Sequence, residues 1–197
     1  MVCGVSRGGF VTSIRVIAGK YGGRKLDAPK SSNTRTKPMG ERIRNALFNR
    51  VGSEVRGAYV LDAFAGTGAV GFEALSRGAA HVTFIESDKV AQNILHKNMI
   101  SLGIENDVSL VCSSVSTWLK SGKAENYDII FVDPPYHDTQ FSTVSKLLSL
   151  LKPGALMVLS HPGRGEEPNL GNEIVVVDNR SYGNAYLTSF RRESCDS

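Results

Sequence analysis

Two short stretches of this chain carry residue types that could do chemistry. The first, Phe131-Val132-Asp133-Pro134-Pro135-Tyr136, sets a carboxylate, a stiff Pro-Pro pair and an aromatic ring in succession behind an apolar run. An exocyclic amine on a nucleobase is a poor nucleophile because its lone pair is delocalised into the ring. The Asp133 carboxylate and the Pro134 carbonyl could each accept one N–H of such an amine and favour a pyramidal nitrogen whose lone pair faces an electrophile. Pro134 and Pro135 would hold that geometry stiffly. Tyr136 offers a face on which the base can stack, a contact worth ~1–3 kcal/mol per base. No strong base is required, because the nitrogen sheds its proton readily once alkylated, so positioning and electrostatics carry the reaction. The bland alternative is that Asp-Pro-Pro does no more than end a strand.

The second stretch is Val60-Leu61-Asp62-Ala63-Phe64-Ala65-Gly66-Thr67-Gly68-Ala69-Val70-Gly71, which joins an apolar strand to a helix. Gly66, Gly68 and Gly71 allow a tight turn and close ligand approach, with the first N–H groups of the helix aimed into the crevice at the strand's carboxyl end. This spacing fits either a dinucleotide or an adenosyl group, and Glu86, 24 residues beyond Asp62, stands where a ribose hydroxyl ligand belongs in both. Asp62 separates the two readings. A carboxylate there would repel a pyrophosphate, whereas it could draw near the ammonium and sulfonium of S-adenosylmethionine. Ala63 and Phe64 beside Asp62 and Ser87 beside Glu86 are further expected cofactor contacts. In the alternative reading Asp62 caps a turn and the glycines only pack.

The elements that must position these stretches follow from the periodicity. Apolar segments at 59–63, 81–86, 108–112, 128–133, 156–160 and 174–178 alternate with amphipathic helices at 69–76, 89–102, 116–120 and 141–151, the βαβ rhythm of a mostly parallel sheet. A last strand at 186–191 follows 174–178 after a link too short for a crossover helix, so these two should pair antiparallel. The expected fold is α/β, with the Asp62, Glu86 and Asp133 motifs at the carboxyl ends of neighbouring strands. Trp118 is expected in the core.

Ahead of this domain, residues 1–57 hold 12 of the 23 Lys and Arg and only three acids, a balance of +9, while the remainder carries −5. Clustered cations on one segment of a mildly acidic chain are the footprint expected for nucleic acid, although a merely solvated basic arm has the same composition. Residues 1–13 read as a disordered leader, 14–57 as a basic docking extension with a small hairpin near Ile14 to Leu26 and a helix starting near Pro38, 58–192 as the catalytic domain, and 193–197 as a tail. On that helix Ile43, Ala46, Leu47 and Val51 mark the buried face and Arg42, Arg44 and Arg50 the exposed ones. No apolar run approaches the ~20 residues that a bilayer crossing needs, and no secretory signal is visible, so the cytoplasm is the expected compartment. Cys3, Cys112 and Cys195 lack metal or redox spacing, and His81, His96, His137 and His161 form no ligand pattern, so no metal is expected. His137, next to Tyr136, could line a base pocket.

The runs at 61–79 (LDAFAGTGAVGFEALSRGA), 84–88 (FIESD) and 131–136 (FVDPPY), preceded by 42–48 (RIRNALF), 15–19 (RVIAG) and 22–26 (GGRKL), resemble the bacterial guanine-N2 methyltransferases of 16S ribosomal RNA. The resemblance extends over roughly 14–192. It implies a class I methyltransferase with a seven-stranded Rossmann-like sheet, S-adenosylmethionine as cofactor, and a guanine of 16S ribosomal RNA or of the small ribosomal subunit as substrate. It also implies cofactor roles for Asp62, Gly66, Gly68 and Glu86 and catalytic roles for Asp133, Pro134, Pro135 and Tyr136. RNA docking would then fall to Arg15, Arg24, Lys25, Arg35, Lys37, Arg42 and Arg44, in a protein expected to be monomeric. Lys37-Pro38-Met39 departs from the family's usual Arg-Pro-Thr, Asn45 stands where Glu is common, and Ser113-Ser114 replaces an Asp or Asn beside the adenine. A DNA adenine-N6 methyltransferase shares the tetrapeptide but usually adds a recognition domain. A non-catalytic RNA-binding assembly factor on the same fold, and an NAD-dependent dehydrogenase, are the remaining alternatives.

Overall fold

A computed structural model describes residues 13–28, 39–122, 125–135, 138, 140–163, 171–183 and 185–194. The strands are β1 (Ser13–Arg15), β2 (Lys25–Asp27), β3 (Tyr59–Asp62), β4 (His81–Glu86), β5 (Val108–Cys112), β6 (Tyr127–Val132), β7 (Leu151–His161), β8 (Ile174–Tyr182) and β9 (Ala185–Arg192). The helices are α1 (Glu41–Val51), α2 (Ala69–Ser76), α3 (Lys89–Leu102), α4 (Val115–Lys120) and α5 (Phe141–Leu148). β1 and β2 form a two-stranded antiparallel ribbon, and the other seven strands form one sheet in the order β5-β4-β3-β6-β7-β9-β8. β3 through β7 run parallel to their neighbours, and β9 lies antiparallel between β7 and β8. The chain leaves β3 toward β4 and β5 and then crosses back to β6, so a topological switch point lies between β3 and β6. In sheets of this kind the ligand crevice opens there, outside the carboxyl ends of the strands.

Alternation along the strands feeds two cores. Val60, Val82, Phe84, Ile129, Phe131, Leu156 and Val158 face one side with α1, α2 and α3, while Leu61, Ile85, Ile130, Val132, Met157 and Leu159 face the other with α4 and α5. Burial on both faces explains why these strands read as continuous apolar runs. Trp118 lies in the second core, as expected.

The basic N-terminal segment packs into the first core. Val16, Leu26, Leu47, Phe48, Val51 and Val55 are buried there, and the Phe48 ring meets that of Phe131 at 5.4 Å. Polar groups tie the hairpin down as well. The Ile17 and Ala18 amides donate to the Glu73 carboxylate of α2 at 2.7 and 3.1 Å, and Tyr21 N–H donates to Ser76 Oγ at 2.9 Å. Asp27 N–H donates to Asn98 Oδ1 at 2.8 Å, while Asn98 Nδ2 donates to the carbonyls of Asp27 and Thr67 at 3.1 and 3.3 Å. Asn98 therefore joins the hairpin to the glycine-rich turn.

Arg44 corrects the sequence reading. It is only 1% exposed, and its guanidinium donates to the Met39 and Arg15 carbonyls with Nε 3.9 Å from Glu73 Oε2. A side chain so enclosed cannot reach a phosphate. The buried stripe of α1 is Arg44, Leu47, Phe48 and Val51, spaced i, i+3, i+4, i+7. The helix begins at Glu41 with Gly40 as its N-cap; Pro38 lies outside the described residues. Ser13, expected in the leader, already belongs to β1, and residues 1–12 and 195–197 of the expected leader and tail lie outside the described residues. β7 starts five residues before the expected 156, because Leu151 pairs with Tyr127 ahead of a register shift. β8 continues four residues past the expected 178, pairing with β9 as far as Tyr182 and Ala185.

Candidate active site

Parallel register brings the two chemical stretches together. Asp62, the last residue of β3, pairs with Phe84 on one side and Phe131 on the other. Glu86 and Asp133 therefore emerge from the flanking strands at the same carboxyl edge.

The turn after β3 is built on glycine. Gly68 caps α2 with φ +81°, a left-handed conformation, and a Cβ there would lie 2.5 Å from the Phe72 ring. Gly71 in the first turn of α2 is pressed against β4, where a Cβ would lie 2.2 Å from Phe84. Between these positions the first N–H groups of α2 have no partner within the helix. Asp62 supplies one, its Oδ2 accepting from Gly71 N–H at 2.9 Å. Glu86 supplies the turn itself: Oε2 accepts from Gly66 N–H at 2.7 Å and Oε1 from Asp88 N–H at 2.6 Å. Asp88 then caps α3 by accepting from Ala91 N–H at 2.8 Å. Each carboxylate oxygen has two lone pairs, so Glu86 keeps acceptor capacity for ligand hydroxyls.

Burial dominates the electrostatics. Asp62 is pushed up to about 7, first by desolvation and further by the charges of Asp133 and Glu86, against the Gly71 hydrogen bond. Asp133 is pushed up to about 6 by desolvation, against a hydrogen bond with Ser160 of β7. Ser160 carried no signal in the sequence. Among the described residues no Lys or Arg forms an ion pair with Asp62, Glu86 or Asp133, and no cluster of acidic, His or Cys side chains is arranged to hold a metal. The edge gathers three acidic side chains, two of them held above the usual carboxylate range, with space above Gly66, where a Cβ would meet nothing within 4 Å. A cationic ligand is what such an edge can hold.

The other expected contacts sit around it. Ala63 is buried, its N–H donating to the Phe131 carbonyl at 3.0 Å, and Phe64 and Gly66 are half-buried. Ser87 is exposed at the end of β4. Ser114 Oγ is committed to the N-cap of α4, accepting from Thr117 N–H at 3.2 Å, and the Ser113 hydroxyl donates to the Ser114 carbonyl at 3.3 Å. Pro134 is buried, and the Pro135 carbonyl accepts from Asp138 N–H at 2.8 Å. Tyr136, His137, Arg35 and Lys37 lie outside the described residues. Arg15, Arg24, Lys25 and Arg42 are exposed. His81 and His161 are hydrogen-bonded to Ser109 and Thr188.

The strand order, the glycine turn and the carboxylates on three adjacent strand ends define the class I methyltransferase fold. The Escherichia coli protein yhhF superposes on 93% of this chain and 99% of its own with a TM-score of 0.82 at 31% identity. SMU.776, solved in complex with SAH, covers 86% of this chain and 54% of its own with a TM-score of 0.67 at 17% identity, a likeness of fold. Ribosomal RNA small subunit methyltransferase D of Haemophilus influenzae is 39% identical over 152 residues, covering 73% of this chain and 76% of that protein. The family described as Conserved hypothetical protein 95 matches residues 14–191. The chain belongs to that family, together with the small-subunit methyltransferase D proteins.

Proposed function

We propose that the protein transfers a methyl group from S-adenosylmethionine to the exocyclic N2 amine of a guanine in 16S ribosomal RNA. The observation that carries this reading is the convergence of Asp62, Glu86 and Asp133 on one sheet edge beside the Gly66 to Gly71 turn. The residues fit the cofactor: Glu86 would accept from the ribose hydroxyls, and the buried carboxyl of Asp62, which has a hydrogen bond from Gly71 N–H but no counter-cation among the described residues, would neutralise the ammonium. When bound, S-adenosylmethionine supplies an electrophilic methyl carbon and a neutral thioether as leaving group.

The chain's own residues supply positioning. Asp133 and the Pro134 carbonyl accept the two N–H groups of the guanine amine and hold its lone pair in line with the methyl carbon. With S-adenosylmethionine bound, its methyl group would pass to the nitrogen and its thioether would leave, and the Asp133 carboxylate would face the positive charge that the nitrogen acquires. The proton then leaves the nitrogen to solvent. With Asp133 raised only to about 6, the acceptor is ionised at neutral pH. Tyr136 would stack the guanine, which must be splayed from its neighbours to reach a strand edge. The exposed cations Arg15, Arg24, Lys25 and Arg42 would meet phosphates. Family membership and the +9 charge of residues 1–57 support RNA as the substrate.

Asp133→Ala tests the assignment of roles. Cofactor affinity measured by calorimetry should remain near wild type, while turnover falls by about 100-fold or more. Turnover above about a tenth of wild type would refute the role given to Asp133.

A further inference from the structure

A cavity of about 570 Å³ lies between α1 and β8, outside the site described above, lined by Asn49, Arg50, Asp178, Arg180 and Tyr182 among others. Its place relative to Asp133 follows from the register. Ser160, the partner of Asp133, pairs with Leu187 of β9, and Leu187 pairs with Arg180 of β8. Residues facing one another across neighbouring strands present their side chains to the same face. Leu187 packs into the core that holds Leu47 and Phe48 of α1, so Ser160 and Arg180 share the α1 face. Two strand spacings of ~4.8 Å separate their backbones, about 10 Å. β8 runs parallel to β7, so Tyr182 stands at the same carboxyl edge as Asp133.

The chemistry of the cavity suits a nucleic-acid backbone. Arg50 Nε lies 3.4 Å and Arg180 Nε 3.0 Å from the same oxygen, Asp178 Oδ2. One carboxylate thus orients two guanidinium groups through their Nε edges and leaves a net positive groove. The Nη groups of Arg50 make no hydrogen bond among the described residues. A planar guanidinium edge matches a phosphate in two-point geometry, and a tyrosine ring beside it can take a base face.

We propose that this groove is a second contact site for single-stranded RNA, holding the strand next to the target nucleotide with Arg50 and Arg180 on its phosphates and Tyr182 beneath a base. The inference rests on the RNA-methylating function proposed above. It adds contacts on α1 and β8 to the cations of the hairpin.

The test measures binding of a labelled single-stranded RNA oligonucleotide to the full chain as a function of salt. Each phosphate contact on a single strand contributes a slope of about 0.7 in log K against log salt. The Arg50→Ala/Arg180→Ala variant should therefore lose about 1.4 from the slope, and Arg180→Ala alone about 0.7, with S-adenosylmethionine affinity unchanged. Arg180 is 65% exposed, so the single variant keeps its fold and decides the matter by itself. An unchanged slope in Arg180→Ala, with wild-type protein binding RNA, would overturn the groove and leave the function standing. Wild-type protein with no salt-dependent affinity for RNA would overturn the function and the groove with it.

Discussion

Arg44→Ala separates a docking arginine from a structural one. The side chain is 1% exposed, donates to the Met39 and Arg15 carbonyls, and stands 3.9 Å from Glu73, itself fully buried. Its Nε is buried without a hydrogen bond, so the coupling to Glu73 is an ion pair and not a hydrogen bond. Desolvation accordingly pushes the arginine pKa down, with Glu73 opposing. Truncation leaves two carbonyls without their charged donor, each such bond being worth about 1.5–3 kcal/mol. Breaking a buried pair costs about 3–5 kcal/mol in general. The low end applies here, because Glu73 keeps Arg77 at 2.7 Å and the amides of Ile17 and Ala18. For a chain of this size about 3 kcal/mol corresponds to roughly 6–12 °C in Tm. Urea unfolding should show the midpoint falling at unchanged slope. Arg44→Lys should recover only part of the loss, since an ammonium cannot fork between two carbonyls. A loss below about 1 kcal/mol, with weakened RNA binding, would refute the structural assignment and return Arg44 to the docking surface.

Two further predictions concern the cofactor edge. Asp62 is raised from 3.8 to about 7, so the stability from its neutral form is fully present below pH 4 and is lost as pH rises through 7; Tm of the cofactor-free protein should fall across that window, and Asp62→Asn should flatten the fall. S-adenosylmethionine affinity should rise over the same interval in wild type, by up to tenfold per pH unit, and an equal rise in Asp62→Asn would contradict the pairing with the ammonium. Gly71→Ala would drive a Cβ to 2.2 Å from Phe84 and 2.9 Å from Val82, so it should cost about 1–3 kcal/mol by overpacking and weaken cofactor binding through the displaced Gly71 N–H; urea unfolding and calorimetry at wild-type values would show that α2 yields freely.

The parallel strands and both chemical stretches were legible because each strand of the sheet centre is apolar on two faces and ends in a residue that breaks the pattern: Asp62, Glu86, Asp133. The antiparallel β8 and β9 pair was legible from the short link between them. Less visible was the extent of β8, whose Asn179, Arg180 and Ser181 read as a turn; an edge strand with one exposed side tolerates them, and pairing with β9 supplies the ladder. Arg44 was misread through its charge, although its spacing from Leu47, Phe48 and Val51 places it on the apolar stripe. Glu73 was the matching signal, a lone acid in the apolar helix AVGFEALS, whose partners come from residues 55 and 56 positions earlier. Ser160 and Asn98 left no local trace, because their roles arise from contacts that only the folded sheet creates.

The most direct test of the proposed function is transfer of labelled methyl from S-adenosylmethionine to unmodified 16S RNA, offered naked and as assembled small subunits, with the nucleoside product identified after digestion. Labelled N2-methylguanosine is the predicted product. Label on adenine would overturn the target base, and absence of transfer to either RNA form despite tight cofactor binding would contradict the substrate.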